Sequence, residues 1–338
     1  MTPYVECPSF SIDLDLPMRK RYSNVPQSEL ERGARLLSAI MAEVPAGARY
    51  LADGVRLLTR GRFHSEFVAL ADRIGSDWRS VTLANLTYDL VMTIFGCSTL
   101  ALATSDGPVL ARNMDFFPED ILAQTSALIY MNRKGKLDFA NAGWPGTVGI
   151  VTAMSSKGFA VALNAVTCSE GTRKTGYPVL LYLRKVFDDA TGFDHVVQML
   201  TKQTLASPCL LTVIGTENHQ RIVLERTPTR CVARKPDGDK PLVTTNNYRL
   251  FEDKPRDSRQ APSPSDALYQ TTCRRFDNLS SAFADHAPTQ SATDEELLYH
   301  LTDAGILTEI TAQHVIMRPR QQAIRMFVPR RFVPHGFE

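Results

Sequence analysis

The hydrophobic pattern of the chain changes abruptly at Gly96. Before that residue, apolar side chains recur at helical spacing, and helices are predicted over residues 28–44, 64–74 and 81–95. After it, CSTLALAT (97–104) and VLARNMDF (109–116) flank a Ser-Asp-Gly-Pro turn and predict a β-hairpin. We therefore expect a helical segment over residues 1–96, called the leader below, followed by a β-rich unit over residues 97–338.

Strands and helices beyond the first hairpin come in groups and do not alternate one by one. Strand patterns cover residues 147–154, 159–166, 209–215, 221–226, 241–248, 314–318 and 323–328. Helical patterns cover residues 176–188, 193–203, 265–284 and 293–303, and residues 249–264 are predicted to be a loop. Because a parallel α/β sheet would alternate strand and helix, this order favours an α+β fold, a four-layer αββα sandwich.

Charge and cysteine spacing exclude several classes of function. Lys plus Arg total 38 against 36 Asp plus Glu, so no surplus of positive charge favours nucleic acid as a partner. The six cysteines are widely spaced, without a CxxC pair or a Cys/His cluster, so neither a metal, a disulfide framework nor a cofactor is predicted. With no signal-peptide pattern and no long uncharged stretch, the sequence predicts a soluble, cytoplasmic protein.

Cys97 stands at the start of the predicted hairpin. A cysteine in an apolar strand is usually a structural core residue, but its neighbours differ from those of a plain core. If the strands pair across the Asp-Gly turn, Ser98 lies opposite Asp115, one step from Cys97, and Arg112 is on the same returning strand. Since positions 112 and 115 face opposite sides of a regular strand, both reach the thiol only if the strand bulges or ends between them.

The position of Cys97 suggests a mechanism. Cleavage of the bond between Gly96 and Cys97 would expose an α-amine, which titrates near pH 8 and can accept the proton of its own thiol, whose unperturbed pKa is about 8.5. Asp115 would hold the ammonium, and the Arg112 cation would favour the thiolate. Taken alone, such an Arg and Asp on a turn are more often a solvated ion pair worth under about 1 kcal/mol.

Four separated blocks resemble the acid ceramidase and N-acylethanolamine-hydrolysing acid amidase family, choloylglycine hydrolase-like cysteine N-terminal-nucleophile hydrolases. They are SIDLDLPMRKRY (11–22), NLTYDLVMTIFGCSTLALATSDGPVLARNMDF (85–116), AGWPGTVGIVTAMSSKGFAVALNA (142–165) and LVTTNNYRLFEDKPRDS (242–258), followed by the Cys-Arg-Arg of 273–275. The resemblance implies a self-cleaving precursor. Residues 1–96 would be its propeptide, or α-subunit after cleavage, residues 97–338 its catalytic β-subunit, and the two would remain associated.

Position by position, the resemblance implies that Cys97 is the nucleophile, with Arg112 and Asp115 as its partners. Asn247 would donate to the oxyanion of the tetrahedral intermediate, and Asn164 could add to that oxyanion hole. The alternative for Asn164 is a strand-closing residue that bonds its own backbone.

Two of these assignments have a neighbour as competitor. Asn246 competes with Asn247 for the oxyanion role. Arg274 matches the late arginine of the family, although Arg275 could take its place, and either could be part of a surface salt bridge. Ala165 stands where ceramidase-like members carry an acidic residue, which leaves the substrate preference within the family open.

The sequence therefore predicts a self-processing cysteine amidase that hydrolyses the linear amide of an N-acyl lipid, N-acylethanolamine- or ceramide-like, to a fatty acid and an amine. The alternatives are a penicillin- or bile-salt-type acylase or acyltransferase of the same fold, and an uncleaved, non-catalytic homologue. The absence of a signal sequence indicates a microbial homologue of a family whose lipid-handling members are lysosomal. The apolar helix before Gly96 could form a peripheral membrane contact, although a buried helix is favoured.

Overall fold

The computed structural model describes residues 2–44, 46–91, 95–252 and 264–337. The strands are β1 (Tyr4–Glu6), β2 (Ser9–Asp13), β3 (Phe95–Leu102), β4 (Val109–Phe116), β5 (Ala127–Arg133), β6 (Lys136–Gly143), β7 (Thr152–Ser155), β8 (Phe159–Asn164), β9 (Cys209–Ile214), β10 (Arg221–Arg226), β11 (Cys231–Arg234), β12 (Leu242–Thr244), β13 (Thr311–Arg318) and β14 (Ala323–Pro329). The helices are α1 (Gln27–Glu43), α2 (Tyr50–Leu58), α3 (His64–Ile74), α4 (Trp78–Ala84), α5 (Thr87–Val91), α6 (Glu119–Gln124), α7 (Val179–Asp189), α8 (Phe193–Lys202), α9 (Pro264–Ala282) and α10 (Asp294–Leu301).

Two sheets face each other across an apolar core. One has six strands in the order β1-β14-β13-β4-β3-β12, and the other has eight in the order β11-β10-β9-β8-β7-β6-β5-β2. Only β2 and β5 pair in parallel among these neighbours. Ala101 and Met317 from the six-stranded sheet pack with Ala160 and Leu210 from the eight-stranded one. Side chains from the inner faces of both sheets thus form one core between them.

Helices cover the outer face of each sheet. Leu279 of α9 and Leu297 of α10 pack with Val243 on the six-stranded sheet. Phe67 of α3 packs in the cluster that contains Val161 of the eight-stranded sheet. Because both faces of the central strands are covered, strands such as β8 are buried throughout, and the predicted α+β fold is confirmed.

The leader contributes a strand to each sheet, so the prediction of a wholly helical leader is wrong. β1 pairs with β14 at one edge of the six-stranded sheet, and β2 pairs with β5 at one edge of the eight-stranded sheet. The alternating burial of β2, with Phe10 and Ile12 inward, is the period-two pattern of an edge strand. The change of pattern at Gly96 is therefore not a boundary in packing, and the division into two subunits stays a prediction.

Two buried cations of the interface join the leader to the rest of the chain. Arg32 of α1 donates hydrogen bonds to the carbonyl oxygens of Gln124 and Ser126, at 2.9 and 2.7 Å from Nη2. Arg184 of α7 forms a buried ion pair with Glu66 of α3, 3.2 Å from Nη2 to Oε2. Removing one partner of such a pair typically costs about 3–5 kcal/mol, because it leaves the other charge buried.

Several predicted elements needed correction. The helix predicted over residues 81–95 is two short helices, α4 and α5, and residues 92–94 lie outside the described residues. The break comes at Asn85, whose side-chain oxygen accepts hydrogen bonds from the backbone of Val148 and Gly149. Those contacts also explain why the strand predicted from residue 147 begins only at Thr152. The hairpin β5–β6 and the strand β11 were not predicted.

The elements set by local pattern were predicted within a few residues. The helix α3 has the predicted bounds, and α7, α8, α9 and α10 lie where helical patterns were read. Most of the predicted loop at 249–264 falls outside the described residues. No helix in the described ranges is both long and apolar enough to cross a membrane.

Gly33 gives a test of how tightly the leader is packed. A Cβ atom at Gly33 would lie 2.8 Å from the carbonyl carbon and oxygen of Pro145, which are backbone atoms. We expect Gly33→Ala to lower the free energy of unfolding by about 1–3 kcal/mol through overpacking, measured by chemical denaturation. Gly54→Ala in α2 is the matched control, since a Cβ there meets nothing within 4 Å; it should be stabilising by up to about 1 kcal/mol. Equal effects of the two substitutions would contradict the close contact.

Candidate active site

The first hairpin forms as predicted, but its register differs from the predicted one by two residues. Ser98 pairs with Asn113 instead of Asp115, and Gly96 is the residue opposite Asp115. Pairing begins only at Leu102 and Val109, because residues 103–108 form a longer loop than a four-residue turn. A shift of two residues preserves the faces of both strands, so the side chains that share a face are those expected.

Cys97 and Arg112 lie on one face of the hairpin, directed toward the eight-stranded sheet. Arg112 Nη2 donates to Cys97 Sγ at 2.7 Å, and Arg112 Nη1 donates to Thr152 Oγ1 at 2.6 Å. Cys97 Sγ lies 3.7 Å from the carbonyl oxygen of Leu163. Thr152 belongs to β7 and was not singled out by sequence reasoning. Its only signal was a polar residue within the apolar run TVGIVTAM.

Burial and charge act in opposite directions on the Cys97 thiol. Only 1% of the residue is exposed, and this burial raises the pKa of the thiol. The guanidinium of Arg112 lowers that pKa, Asp115 raises it, and Arg275 lowers it. Within the described ranges no carboxylate forms an ion pair with Arg112, so its buried charge faces the sulfur.

Asn246, and not Asn247, contacts Cys97. The backbone nitrogen of Cys97 donates to Asn246 Oδ1 at 3.1 Å, and Asn246 Nδ2 donates to the carbonyl oxygen of Ala165 at 2.9 Å. Asn247 is only half-buried, and its Oδ1 accepts a hydrogen bond from Thr272 at 3.2 Å. The two asparagines follow the short strand β12 with different contacts, so only Asn246 reaches Cys97.

Arg275, and not Arg274, enters the site. Arg275 is fully buried, and its Nη1 donates to the carbonyl oxygen of Cys97 at 2.7 Å. Its Nη2 donates to Asn246 Oδ1 at 2.8 Å. Arg274 is exposed, because neighbouring residues of a helix point about 100° apart. The role implied for Arg274 therefore falls on a residue outside the site.

Asp115 lies on the opposite face of the hairpin from the thiol. The bulge in β4 that would have let both Arg112 and Asp115 reach the thiol is therefore not formed. The irregularity of register is in β13 instead, between Thr311 and Gln313. Thr311 Oγ1 donates to Asp115 Oδ1 at 2.7 Å, and Arg275 Nη1 lies 3.9 Å from Asp115 Oδ2. Arg275 therefore links Asp115 to the backbone of Cys97.

Asn164 ties the two sheets together, and among the described residues its hydrogen bonds go to Thr99, Thr244 and Thr245, not to Cys97. Its Nδ2 donates to the carbonyl oxygens of Thr244 and Thr245, each at 3.1 Å, and its Oδ1 accepts from Thr99 Oγ1 at 2.8 Å. Both amide hydrogens are thus used on the backbone of the neighbouring sheet. The alternative for Asn164 was a residue that ends its strand by bonding its own backbone. The observed side chain bonds backbone in a similar way, but the backbone belongs to the neighbouring sheet.

The site is closed in the uncleaved chain. Cys97 belongs to the same apolar cluster as Leu86 and Tyr88 of the leader and Val148 of the following segment. Cys97 is therefore almost fully shielded from solvent. Among the described residues no group of three or more His, Cys, Asp or Glu side chains could hold a metal ion.

Comparison with known proteins places the chain in a family. The sequence model of the acyl-coenzyme A:6-aminopenicillanic acid acyl-transferase family matches residues 102–303, more than half of the chain. The matched region begins five residues after Cys97, and it includes Arg112, Asn246 and Arg275.

Two nematode proteins are among those that the chain resembles. It is 28% identical to a probable acid ceramidase of Caenorhabditis elegans over 181 residues, which are 46% of this chain and 44% of that protein. The match thus spans less than half of the length of that relative.

The solved structure of a Caenorhabditis elegans N-acylethanolamine-hydrolyzing acid amidase ortholog superimposes with a TM-score of 0.54 at 15% identity. The superposition covers 66% of this chain and 93% of that one, which establishes a shared fold. The chain belongs to the acyl-coenzyme A:6-aminopenicillanic acid acyl-transferase family, and its resemblance to the acid ceramidase and N-acylethanolamine-hydrolysing acid amidase group of N-terminal-nucleophile hydrolases is confirmed.

Proposed function

We propose that the protein is a self-processing cysteine amidase whose nucleophile is Cys97. The observation that carries this proposal is the double engagement of one residue. The sulfur of Cys97 faces the buried cation of Arg112, while its backbone nitrogen, which cleavage would convert to an amine, donates to Asn246. A structural cysteine needs neither contact.

The processing step uses the same groups. Cys97 Sγ attacks the carbonyl carbon of Gly96, the carbon–nitrogen bond breaks, and the nitrogen of Cys97 leaves as a free amine. Water then hydrolyses the thioester to a Gly96 carboxylate and a free thiol. Asn246 Oδ1 already accepts a hydrogen bond from that nitrogen, so it would hold the new amine in place. The subunits would stay associated through β1, β2 and the buried Arg32 and Glu66 contacts described above.

Turnover follows from the new amine. It accepts the proton of the thiol, and the cation of Arg112 stabilises the thiolate that results. Attack on a substrate amide forms a tetrahedral intermediate, and we assign Asn246 Nδ2, which donates to the carbonyl oxygen of Ala165 in the intact chain, as the donor to its oxyanion. Collapse of the intermediate releases the amine product, and water cleaves the acyl-cysteine to give a carboxylic acid.

The substrate class that we propose is the linear amide of an N-acyl lipid. Two relatives are named for such substrates, a ceramidase and an N-acylethanolamine-hydrolyzing amidase. The apolar cluster around Cys97 also suits an alkyl chain better than a polar one. The presence of Ala165 in place of an acidic residue leaves the amine part of the substrate less constrained.

Acyl transfer is the second candidate, because the matching family is named for an acyl-transferase. An amine can resolve the acyl-cysteine in the same way as water. Incubation of the processed protein with an acyl donor and a panel of amines separates the two reactions: a new amide as the main product favours transfer, and a free acid favours hydrolysis. The same panel, with penicillin and bile-salt conjugates as donors, tests the acylase alternative.

Cleavage before Cys97 is the first testable prediction. We expect active protein to contain a chain that begins Cys-Ser-Thr-Leu, detected by N-terminal sequencing and intact mass. Cys97→Ala should keep the full mass of 37.6 kDa and lack turnover, because it has no sulfur to attack either bond. Turnover by a preparation that remains at full mass, or by Cys97→Ala, would refute the proposal.

The two neighbouring asparagines provide a matched pair for the oxyanion role. In processed enzyme, Asn246→Ala should reduce kcat by about 100-fold to 1000-fold, the usual effect of removing an oxyanion donor. Asn247→Ala should change kcat by less than about threefold, since its side chain contacts Thr272 and not Cys97. Rates are measured per cleaved chain, so that slower processing is not mistaken for slower turnover. The reverse ranking would restore the original assignment.

Arg275 and Arg274 form a second matched pair. Lysine keeps the charge but cannot reproduce the forked contacts of Arg275 with Cys97 and Asn246. Loss of one charge-assisted hydrogen bond is worth about 1.5–3 kcal/mol, so Arg275→Lys should slow turnover at least about tenfold. The exposed Arg274 should tolerate the same change. Equal turnover rates for the two variants would contradict a role of Arg275 in turnover.

A further inference from the structure

A buried carboxylate holds the chain segment that follows Asn246. Glu225 of β10 is fully buried, and its Oε2 accepts hydrogen bonds from three consecutive backbone nitrogens. These donors are Arg249 at 3.1 Å, Leu250 at 2.9 Å and Phe251 at 3.2 Å. Successive backbone N–H groups that converge on one point form a nest that binds an anion. Here the anion is a side chain of the opposite sheet.

Arg234 extends this attachment to the other side of Asn246. Its Nε donates to Glu225 Oε1 at 3.1 Å, and its Nη2 donates to the carbonyl oxygen of Val243 at 2.8 Å. Val243 precedes Asn246 by three residues, and Arg249 follows it by three. The Glu225–Arg234 pair therefore forms hydrogen bonds with the backbone on both sides of Asn246.

Side chains, and not a continued sheet ladder, hold the backbone around Asn246: Asn164 Nδ2 donates to the carbonyl oxygens of Thr244 and Thr245 on one side of it. The strand β12 ends at Thr244, so the sheet ladder stops before Asn246. The backbone nitrogen of Asn246 donates to Thr272 Oγ1 at 2.9 Å. Burying a charge is costly, but an apolar side chain in place of Glu225 would leave the amides of residues 249–251 without this acceptor. The charged pair is explained if it serves to hold the Asn246 segment in one arrangement.

We propose that Glu225 is a positioning residue for Asn246, acting through the backbone nest at residues 249–251 and through Arg234. This role rests on the proposed function of Asn246 at Cys97. Glu225 touches neither Cys97 nor Asn246, so it sets the geometry of the oxyanion donor without taking part in the chemistry. A misplacement of about 1 Å at a reacting centre can cost about 100-fold in rate.

The variants Glu225→Ala and Glu225→Gln test this role in processed enzyme that contains both parts of the cleaved chain. Glu225→Ala should lower kcat by about 10-fold to 100-fold and leave KM within about twofold, because the geometry of the donor changes and substrate binding does not. Glu225→Gln keeps an acceptor oxygen and loses the charge, so it should recover part of the rate. Hydrogen exchange at the amides of residues 249–251 should be faster in Glu225→Ala than in the wild type.

Asp138→Asn is the matched control. Asp138 is a buried carboxylate of the same sheet, paired with Arg133 and Lys157, and it lies outside the site. We expect its loss to reduce stability with kcat unchanged, whereas a general destabilising effect would lower kcat in both variants alike.

Two results would overturn the positioning role: wild-type kcat in Glu225→Ala despite faster exchange at residues 249–251, or an equal loss of kcat in Asp138→Asn. If Glu225→Ala does not accumulate, Glu225→Gln decides alone: a kcat at least about threefold lower with KM unchanged supports the role, and wild-type kcat refutes it. A wild-type enzyme without amidase turnover contradicts the proposed function itself, and that result is visible before any variant is compared.

Discussion

The contact between Arg112 and Cys97 is the interaction on which the rest of the site depends. A fully buried guanidinium without a carboxylate partner is costly, and its desolvation must be compensated by hydrogen bonds or by an anion. In the described part of the chain Arg112 has a threonine hydroxyl on one side and a thiol on the other. A thiolate at Cys97 would supply the missing negative charge. Burial raises the pKa of the Cys97 thiol, and the buried charge of Arg112 opposes that effect and favours the thiolate.

This effect of Arg112 depends on the packing of the two sheets. Thr152 belongs to the eight-stranded sheet and Arg112 to the six-stranded one, so the guanidinium is oriented only when the sheets are in register. Asn164 makes the same connection elsewhere, from β8 to the end of β12. The site is therefore built across the core between the sheets, where side chains have few alternative positions.

The position of Asp115 changes the role that its charge can have. It lies on the helix-covered face of the hairpin, and its Oδ2 has no hydrogen-bond partner among the described residues. Arg275 is 3.9 Å from that oxygen and hydrogen-bonds the carbonyl group of Cys97. Under the proposed mechanism, cleavage creates a new α-amine at Cys97, the residue after Gly96, which is the partner of Asp115 in the hairpin. Asp115 would then stabilise the N-terminus of the cleaved chain rather than contact the sulfur.

Local pattern accounts for what could be predicted from the sequence, and non-local contacts account for what could not. The hairpin around Cys97 and helices such as α3 follow from spacing within a few residues. The leader strands β1 and β2 pair with partners more than 100 residues away, so local spacing does not specify their pairing, although Phe10 and Ile12 alternate as in an edge strand. The choice between Arg274 and Arg275 could have been made from the sequence. One face of the helix α9 carries, at helical spacing, the buried residues Thr272, Arg275 and Leu279, and the buried Phe283 continues that spacing just beyond the helix. Arg275 belongs to that face and Arg274 does not.

Cleavage at Gly96 would alter charge more than architecture. Because the leader supplies an edge strand to each sheet and buried charges to the interface, separating it would expose two sheet edges and leave the buried Arg184 with Asp188 but without Glu66. Exposed sheet edges and the loss of a buried ion pair are both unfavourable. We therefore expect the two parts of a cleaved chain to remain associated. What changes at the break is a neutral peptide nitrogen, which becomes a base beside Asn246. Under the proposed mechanism, the protein is fully folded before the bond between Gly96 and Cys97 is cleaved, and that cleavage frees the nitrogen of Cys97 to act as a base.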